Sequence, residues 1–178
     1  YFTMDSGDLN ITASGDGIEC GEGYIVINGG NITVKSVDEG ITASYEDSDV
    51  SVTPYIYITG GAIHVTTSGV KAHAIKSESY TMIDSDEIIA LSVSGAGAKG
   101  IKTGGNLMLL NDSITITTSG NAYYDETESE IITSSGIDSD GHFLMEEGHV
   151  VIASVGTAGR GINVDSTMVI HNGAINIT

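Results

Sequence analysis

The sequence is poor in the residues that mark several common protein classes. It has one cysteine, Cys20, so no disulfide can form within the chain. It has 6 lysines and arginines against 24 aspartates and glutamates, which gives a formal net charge of −18. A surface of that sign repels phosphate backbones and attracts cations, which excludes nucleic acid as a partner. No apolar run is long enough to span a bilayer and no signal peptide is recognisable, so we expect no membrane insertion.

Helix signals are also scarce. No sustained apolar period of 3.6 residues appears, whereas short alternating segments rich in Ile, Val and Thr recur between Gly-rich turns. The length of 178 residues suits one domain, so we predict a single all-β domain over residues 1–178. Because the sequence starts at Tyr1 in mid-pattern without an initiator methionine, we expect it to be a mature or trimmed piece.

One phrase recurs along the whole chain: a Gly-rich turn ending in isoleucine, a short strand, a second strand opening with a bulky residue, and a third alternating strand. The turn isoleucines are Ile18, Ile41, Ile75, Ile101, Ile137 and Ile162. The bulky residues assigned to the start of the second strand are Tyr24, Tyr55, Tyr80, Leu107, Phe143 and Met168. Copies that cannot bury an apolar face alone stack into a solenoid. We therefore predict a right-handed, three-sided parallel β-helix of about six coils, roughly 30 Å long at the usual strand spacing.

Two spacers between coils, 43–53 and 119–134, are longer than the others. Insertions in a solenoid project as loops from one edge and often carry function. The second spacer contains Tyr123 and Tyr124, which are candidate contacts to a polysaccharide or another subunit. The tyrosines of the second strand are expected to pack in the core or at its rim, in preference to forming a sugar-stacking platform.

Acidic residues cluster at two places where calcium could bind. Asp16 and the pair Asp38-Glu39 occupy matching turns of neighbouring coils, so stacking should bring their carboxylates together. Like charges at that spacing repel, and a hard dication with oxygen ligands would relieve the repulsion. The second candidate cluster combines Asp138 and Asp140, after Ile137, with the acidic residues of the long spacer, which are Asp125, Glu126, Glu128 and Glu130. Asp125, Glu126, Asp138 and Asp140 are its proposed ligands. The alternative for both clusters is that they are simply solvated acidic loops.

Five of the six basic residues gather on one side of the coils when these are aligned on the turn isoleucine. They are Lys71, Lys76, Lys99, Lys102 and Arg160. Lys76 and Lys102 fall at the same position of neighbouring coils, so they would repel each other unless something anionic lies nearby. Three partners are open: an acidic loop of the same chain such as 84–87, an anionic polysaccharide, or the acidic coils of a neighbouring subunit.

Several phrases resemble those of the bacterial extracellular carbohydrate-binding domain-containing β-helix proteins. The resemblance is carried by residues 14–18 (SGDGI), 28–34 (NGGNITV), 117–125 (TTSGNAYYD) and 135–141 (SGIDSDG). It implies a pectate-lyase-like fold that binds calcium in Asp-rich turns, adheres to plant-type polysaccharides and has no catalytic activity. The middle coils depart from the family pattern, since Lys71, His73, Lys76, Lys99 and Lys102 lie where Asp-Gly-Ile turns are usual.

The leading interpretation is therefore a non-enzymatic, extracellular or cell-surface adhesin that binds calcium and grips polysaccharide along one sheet. An alternative is a filament subunit that stacks head to tail through uncapped ends, with Tyr1, Phe2, Ile175 and Ile177 as contacts. A third possibility is a calcium-dependent polysaccharide lyase with Lys76 or Lys102 as the base. That chemistry needs the base and the acidic ligands on the same coils, whereas the sequence separates them.

Overall fold

The computed structural model describes residues 1–45 and 51–178, and these residues form the predicted three-sided parallel β-helix. Sheet 1 has seven strands of three residues: β1 (Phe2–Met4), β4 (Ile25–Ile27), β7 (Ile56–Ile58), β10 (Thr81–Ile83), β13 (Leu107–Leu109), β18 (Phe143–Met145) and β21 (Met168–Ile170). Sheet 2 has seven longer strands: β2 (Asp8–Thr12), β5 (Asn31–Ser36), β8 (Ala62–Thr67), β11 (Ile88–Val93), β14 (Asp112–Thr118), β19 (Gly148–Ser154) and β22 (Ala174–Ile177). Sheet 3 has six strands: β3 (Ile18–Gly21), β6 (Ile41–Ser44), β9 (His73–Ser77), β12 (Lys99–Thr103), β17 (Ser135–Ser139) and β20 (Arg160–Val164).

The strand order corresponds to six complete coils and a seventh that contributes one strand each to sheets 1 and 2. The described residues contain no α-helix, and hence none that is long and apolar enough to cross a membrane. A short antiparallel hairpin made of β15 (Tyr123–Asp125) and β16 (Glu130–Ile132) stands apart from the three sheets. It is built from the spacer 119–134, while residues 46–50 of the other long spacer lie outside the described residues.

The turn isoleucines align as predicted. Ile18, Ile41 and Ile75 occupy equivalent positions of successive strands in sheet 3, and the same register continues to Ile162. These side chains point inward and form one ladder of a continuous aliphatic core. The alternation of inward and outward residues along each strand fixes this register, because a shift by one residue would turn the ladder outward.

The aromatic column differs from its prediction by one residue. The strand residues that align with Leu107 and Phe143 are Ile56 and Thr81, not the tyrosines that precede them. Leu107 and Phe143 are buried in the core, whereas the tyrosines stand outside it in a separate column. In that column Tyr1, Tyr24, Tyr55 and Tyr80 stack with ring centroids 5.4, 4.9 and 5.2 Å apart. A one-residue shift exchanges core and surface, which explains why the sequence merged the two columns.

The glycine that precedes most turn isoleucines has a packing role. A Cβ at Gly100 would overlap the Ile116 side chain of sheet 2 and the carbonyl oxygen of Gly136 in the next coil. A Cβ at Gly40 would likewise overlap Val65 and the carbonyl oxygen of Ala74. The Gly-Ile phrase therefore lets sheet 3 close tightly against the inner ladder of sheet 2 and positions the residues that follow it.

Candidate functional site

A groove crosses the outer face of sheet 3. One part of about 420 Å³ lies between the sheet and the hairpin and is lined by Lys99, Arg160 and Ile131, among others. A second part of about 460 Å³ extends to Tyr45 at the opposite edge. Lys102 and Asp140 line both parts, so the two parts are adjacent, and we call them together the sheet 3 groove.

Two of its lysines are held by carboxylates of the same chain. Lys102 Nζ donates to Asp138 Oδ1 at 2.8 Å and also contacts Asp140. Lys76 Nζ lies 3.3 Å from Glu39 Oε1. Burial lowers the pKa of Lys102, but its hydrogen bonds to the two aspartates outweigh burial and leave that pKa raised. Of the three partners left open by the sequence, the same chain supplies these, although from sheet 3 and the turns that flank it and not from residues 84–87.

Lys99 has a different environment. Its Nζ donates to the carbonyl oxygen of Gly97 at 3.4 Å, and no carboxylate of the described residues lies within ion-pair distance. Burial lowers the pKa of Lys99. The backbone N–H of Lys99 donates to His73 Nδ1 at 3.2 Å. Burial and then the positive charge of Lys99 lower the pKa of His73 well below 6.5, so this histidine is neutral.

The first predicted acidic cluster is assembled. Asp16, Asp38 and Glu39 each offer an oxygen, and these three atoms lie within 4.8 Å of one another. Asp16 Oδ1 accepts the Glu39 backbone N–H at 2.8 Å. Burial and a side-chain hydrogen bond with Asp38 raise the pKa of Glu39 to about 7, although nearby Lys76 opposes the shift. A set of carboxylate oxygens suits a hard cation, so the donor chemistry fits calcium.

Four of the six residues of the second predicted acidic cluster are engaged with lysines. Asp138 and Asp140 bind Lys102, while Asp125 and Glu128 bind Lys71, with Asp125 Oδ2 at 2.6 Å from its Nζ. Glu126 and Glu130 are exposed. Within the described ranges, these six acids do not come together as a group of three metal-ligating atoms. Their assignment as calcium ligands stays a prediction.

The hairpin β15–β16 is fastened to the coils by Lys71. This lysine adopts a left-handed backbone conformation with φ of 61°, and its Nζ reaches both Asp125 and Glu128, the latter at 3.2 Å. The ion pair with Lys71 lowers the pKa of Asp125 to about 2. Lys71 is therefore a structural clamp for the wall of the sheet 3 groove.

The two adjacent tyrosines of the hairpin play different parts. Tyr123 lies against the turn at Gly97 together with Ile132, so it packs toward the coils. Tyr124 is 59 % exposed and stands directly opposite Ile131, which is 70 % exposed and lines the groove. Residues directly opposite in an antiparallel pair share a face. Tyr124 and Ile131 thus form an exposed apolar pair on the hairpin, in which Ile131 lines the groove.

Sequence reasoning missed part of the lining. Thr133, Asn163 and Asp165 also line the groove, as does Tyr45 at its far end. The register carried one usable signal, because Lys102 and Asp138 occupy the same position of neighbouring coils. The hairpin pairing carried no such signal, since its strands are only three residues long.

The predicted filament contacts lie in the first and last coils. Tyr1 is 84 % exposed and precedes β1, which contains the half-buried Phe2. In β22, Ile175 is half-buried and Ile177 is 50 % exposed. Head-to-tail association through these residues stays a prediction.

Comparison with known proteins gives one match. The model of a family described as carbohydrate-binding domain-containing protein matches residues 1–178, which is the full sequence. Neither the curated proteins nor the solved structures contain a match.

Proposed function

The chain belongs to the family of carbohydrate-binding domain-containing proteins, and on that premise we propose that it binds a polysaccharide chain in the sheet 3 groove without transforming it. The observation that carries the proposal is the combination of fixed charged groups in the groove with an exposed aromatic and aliphatic pair on the hairpin that borders it. We further propose that the protein acts outside the cell or at the cell surface of a bacterium, as an adhesin. Cell fractionation tests this, and protein found only in the cytoplasm would contradict it.

The polar part of the groove suits sugar hydroxyl groups, which both donate and accept hydrogen bonds. Lys102 and Asp138 hold each other in place, so neither side chain has to be ordered when a ligand arrives. Groups that are already ordered lose less conformational entropy on binding, which favours affinity. Asn163 adds an amide, whose Oδ1 accepts a hydrogen bond from Arg160 at 3.3 Å.

The apolar part suits the C–H face of a pyranose ring. Ile131 lines the groove, and Tyr124 lies directly opposite it on the same face of the hairpin, so the two side chains offer an exposed apolar surface beside the polar groups. Aromatic side chains contribute large contact areas at a small entropy cost, and ligand sites generally combine apolar walls with a few polar groups. Tyr124 is the proposed stacking residue, while Tyr123 holds the hairpin.

An anionic sugar would be recognised by Lys99 and Arg160. Neither has a carboxylate within ion-pair distance among residues 1–45 and 51–178, whereas Lys76 and Lys102 are already paired. The pairing also argues against a lyase that uses Lys102, because a general base must be unprotonated and the hydrogen bonds to Asp138 and Asp140 leave the pKa of Lys102 raised. The Nζ of Lys76 is occupied by its ion pair with Glu39.

The test is isothermal titration against a panel of neutral and uronate-containing oligosaccharides. Tyr124→Ala should weaken binding by about fivefold, the equivalent of roughly 1 kcal/mol of lost ring stacking. Val155→Ala removes another strongly exposed apolar side chain that does not line the groove, and it should leave affinity unchanged. Lys99→Met should weaken only uronate binding. Absence of binding to every glycan, or equal affinities for the two alanine variants, would contradict the proposal.

Calcium is proposed as a structural ion at Asp16, Asp38 and Glu39. The support is the close approach of three carboxylate oxygens, which would concentrate negative charge when all three groups are ionised. Burial and the hydrogen bond with Asp38 raise the pKa of Glu39, so a bound cation would have to favour its ionised form. Bound calcium would neutralise this charge and stabilise two neighbouring turns. The ion would have no part in chemistry.

The calcium proposal has a pH signature. In chelator the folded pKa of Glu39 lies above its unfolded value of 4.5, so its contribution is complete below about pH 4.5 and is lost as pH rises through about 7. The loss should be on the order of 2 kcal/mol in urea unfolding and should vanish in Glu39→Gln. Because calcium needs the ionised carboxylates, it should stabilise the protein more at about pH 7.5 than at about pH 5. An equal effect of calcium at both pH values, or none at either, would remove the site.

A further inference from the structure

The outer face of sheet 1 carries an apolar stripe along the rod. In its five inner strands the first and third residues are buried and the middle residue points outward. The middle residues of the seven strands are in register and consist of Thr3, Val26, Tyr57, Met82, Met108, Leu144 and Val169. Six of these seven are apolar or aromatic, although they face outward. We call this row the sheet 1 stripe.

The stripe lies within a band that lacks charge. None of the residues in the seven strands of sheet 1 is Asp, Glu, Lys or Arg. The two residues that precede each strand from β4 onward also lack these types, as in Gly23-Tyr24, Pro54-Tyr55 and Ser79-Tyr80. The whole chain carries 30 such residues, counted as 24 acids and 6 bases, so an uncharged band of this length is a distinctive feature of one face.

The tyrosine column borders the stripe but offers few ring faces. Tyr24 and Tyr55 are parallel within 1°, and Tyr55 and Tyr80 within 10°, so each inner ring covers its neighbour. Tyr57 of the stripe packs against both Tyr55 and Tyr80, with ring centroids 4.6 and 5.6 Å away. A sugar ring stacks on an open aromatic face, and here those faces are occupied. The band is better suited to a protein surface, which packs on ring edges and methionine side chains.

We propose that the uncharged band is a contact surface between two copies of this chain, which associate side by side. An apolar stripe of this kind marks an interaction site, and Met and Tyr are among the residues enriched in interfaces. Two copies that each carry a charge of −18 repel each other across any acidic surface. When the uncharged bands of the two copies face each other, the contact itself brings no like charges together. A two-fold axis places the same band of each copy in the contact.

The size of the band sets the strength of the contact. Seven strands span roughly 30 Å, and five residues of extended chain are roughly 16 Å wide, which gives about 500 Å² per partner. The total of about 1,000 Å² is at the lower limit for a specific interface. The dimer should therefore be weak and should form in the micromolar range or above.

Sedimentation velocity over a concentration series tests the inference on the full chain. Association should strengthen as salt rises from about 0.05 to 0.5 M, because salt screens the repulsion between acidic copies, and it should be unaffected by chelator. Met82→Glu/Met108→Glu adds charge to neighbouring strands at the middle of the stripe and should weaken dimerisation at least tenfold. The matched control is Ser92→Glu/Thr117→Glu, which adds the same charge to a register pair of exposed residues in sheet 2 and should change dimerisation by less than threefold.

A second variant covers the case in which the glutamate pair does not fold, which circular dichroism would reveal. Met82→Ser/Met108→Ser removes the apolar contact without adding charge and should weaken the dimer severalfold. A protein that stays monomeric at every concentration and salt would overturn the inference, as would equal effects of the stripe and control variants. A requirement of calcium for association would also overturn it. So would a monomeric protein whose methionine variants bind polysaccharide more weakly, because the band would then be part of the polysaccharide site.

Discussion

Sheets 1 and 3 share one core and differ in what they show to solvent. Both contribute fully buried aliphatic ladders, for example Leu109 in sheet 1 and Ile101 in sheet 3. The outward residue next to Leu109 is Met108, in an uncharged row, whereas the outward residue next to Ile101 is Lys102, bound to two aspartates. The repeat therefore constrains the inward-facing residues of each coil, while the outward-facing residues can differ from one sheet to another.

The outer faces also differ in relief. The hairpin β15–β16 stands beside sheet 3, and the groove lies between the two. Sheet 1 has strands of three residues in every coil and is bordered by a regular stack of tyrosines. A groove with polar groups suits an extended polar ligand, and a flat uncharged band suits a flat partner.

The first prediction concerns the buried core that sheets 1 and 3 share, and it carries the greatest loss of stability. Ile101→Ala and Leu109→Ala each empty a fully buried position, so each should lower the free energy of unfolding by about 3 kcal/mol. Urea denaturation followed by circular dichroism measures both. A difference of more than about 1.5 kcal/mol between them would show that the cores beneath the two sheets are not equivalent.

The second prediction concerns the outward-facing residues, where sheets 1 and 3 should differ and where the loss of stability should be smaller. Lys102→Met leaves Asp138, whose side chain is 9 % exposed, without its cation and should cost about 2 kcal/mol, less than for a fully buried pair. Met108→Gln on sheet 1 should lower the free energy of unfolding by less than about 0.5 kcal/mol, because the substitution leaves no charged partner unpaired. Adding Asp138→Asn to Lys102→Met should restore part of the loss. If the two single variants were equally stable, the ion pairs of Lys102 would make no measurable contribution to the free energy of unfolding.

The smallest effect concerns the hairpin that gives sheet 3 its groove. Lys71→Met should speed amide hydrogen exchange in residues 123–132 without changing global unfolding, while Lys35→Met, on an exposed position of sheet 2, should do neither. The folded pKa of Asp125 is lowered to about 2, so the clamp is complete above the unfolded value near 4 and is lost as pH falls through about 2. Unchanged exchange in Lys71→Met would mean that the packing of Tyr123 and Ile132 alone holds the hairpin.

Much of the fold could be predicted because register follows from the repeat. The positions of Ile18 through Ile162 were correct, and with them the side of the rod on which the lysines lie. The tyrosines were placed one residue out of register because a bulky residue at a strand start is compatible with either a core or a rim position. In a strand of three residues, alternation gives too few positions to decide between them.

The candidate site was predictable only in part. Stacking alone indicated that Asp16, Asp38 and Glu39 would meet, and they do. The partners of the lysines were left open, because an ion pair depends on side-chain direction across strands that are distant in sequence. Lys102 and Asp138 are 36 residues apart, and Lys71 reaches an inserted hairpin that has no counterpart in the other described coils.

The sequence alone was enough to predict the β-helix, its coil number and the inward ladders of sheets 2 and 3, because a periodic pattern can bury its apolar residues in only one register. The three-dimensional structure was needed to show which carboxylate holds each lysine, which of two adjacent tyrosines packs against the coils, and which sheet presents an uncharged surface. Those outcomes depend on the directions of side chains between coils and on where an insertion folds back. The periodic pattern sets which residues of each strand point inward, whereas ion pairs and surface patches form between residues that are distant in the sequence.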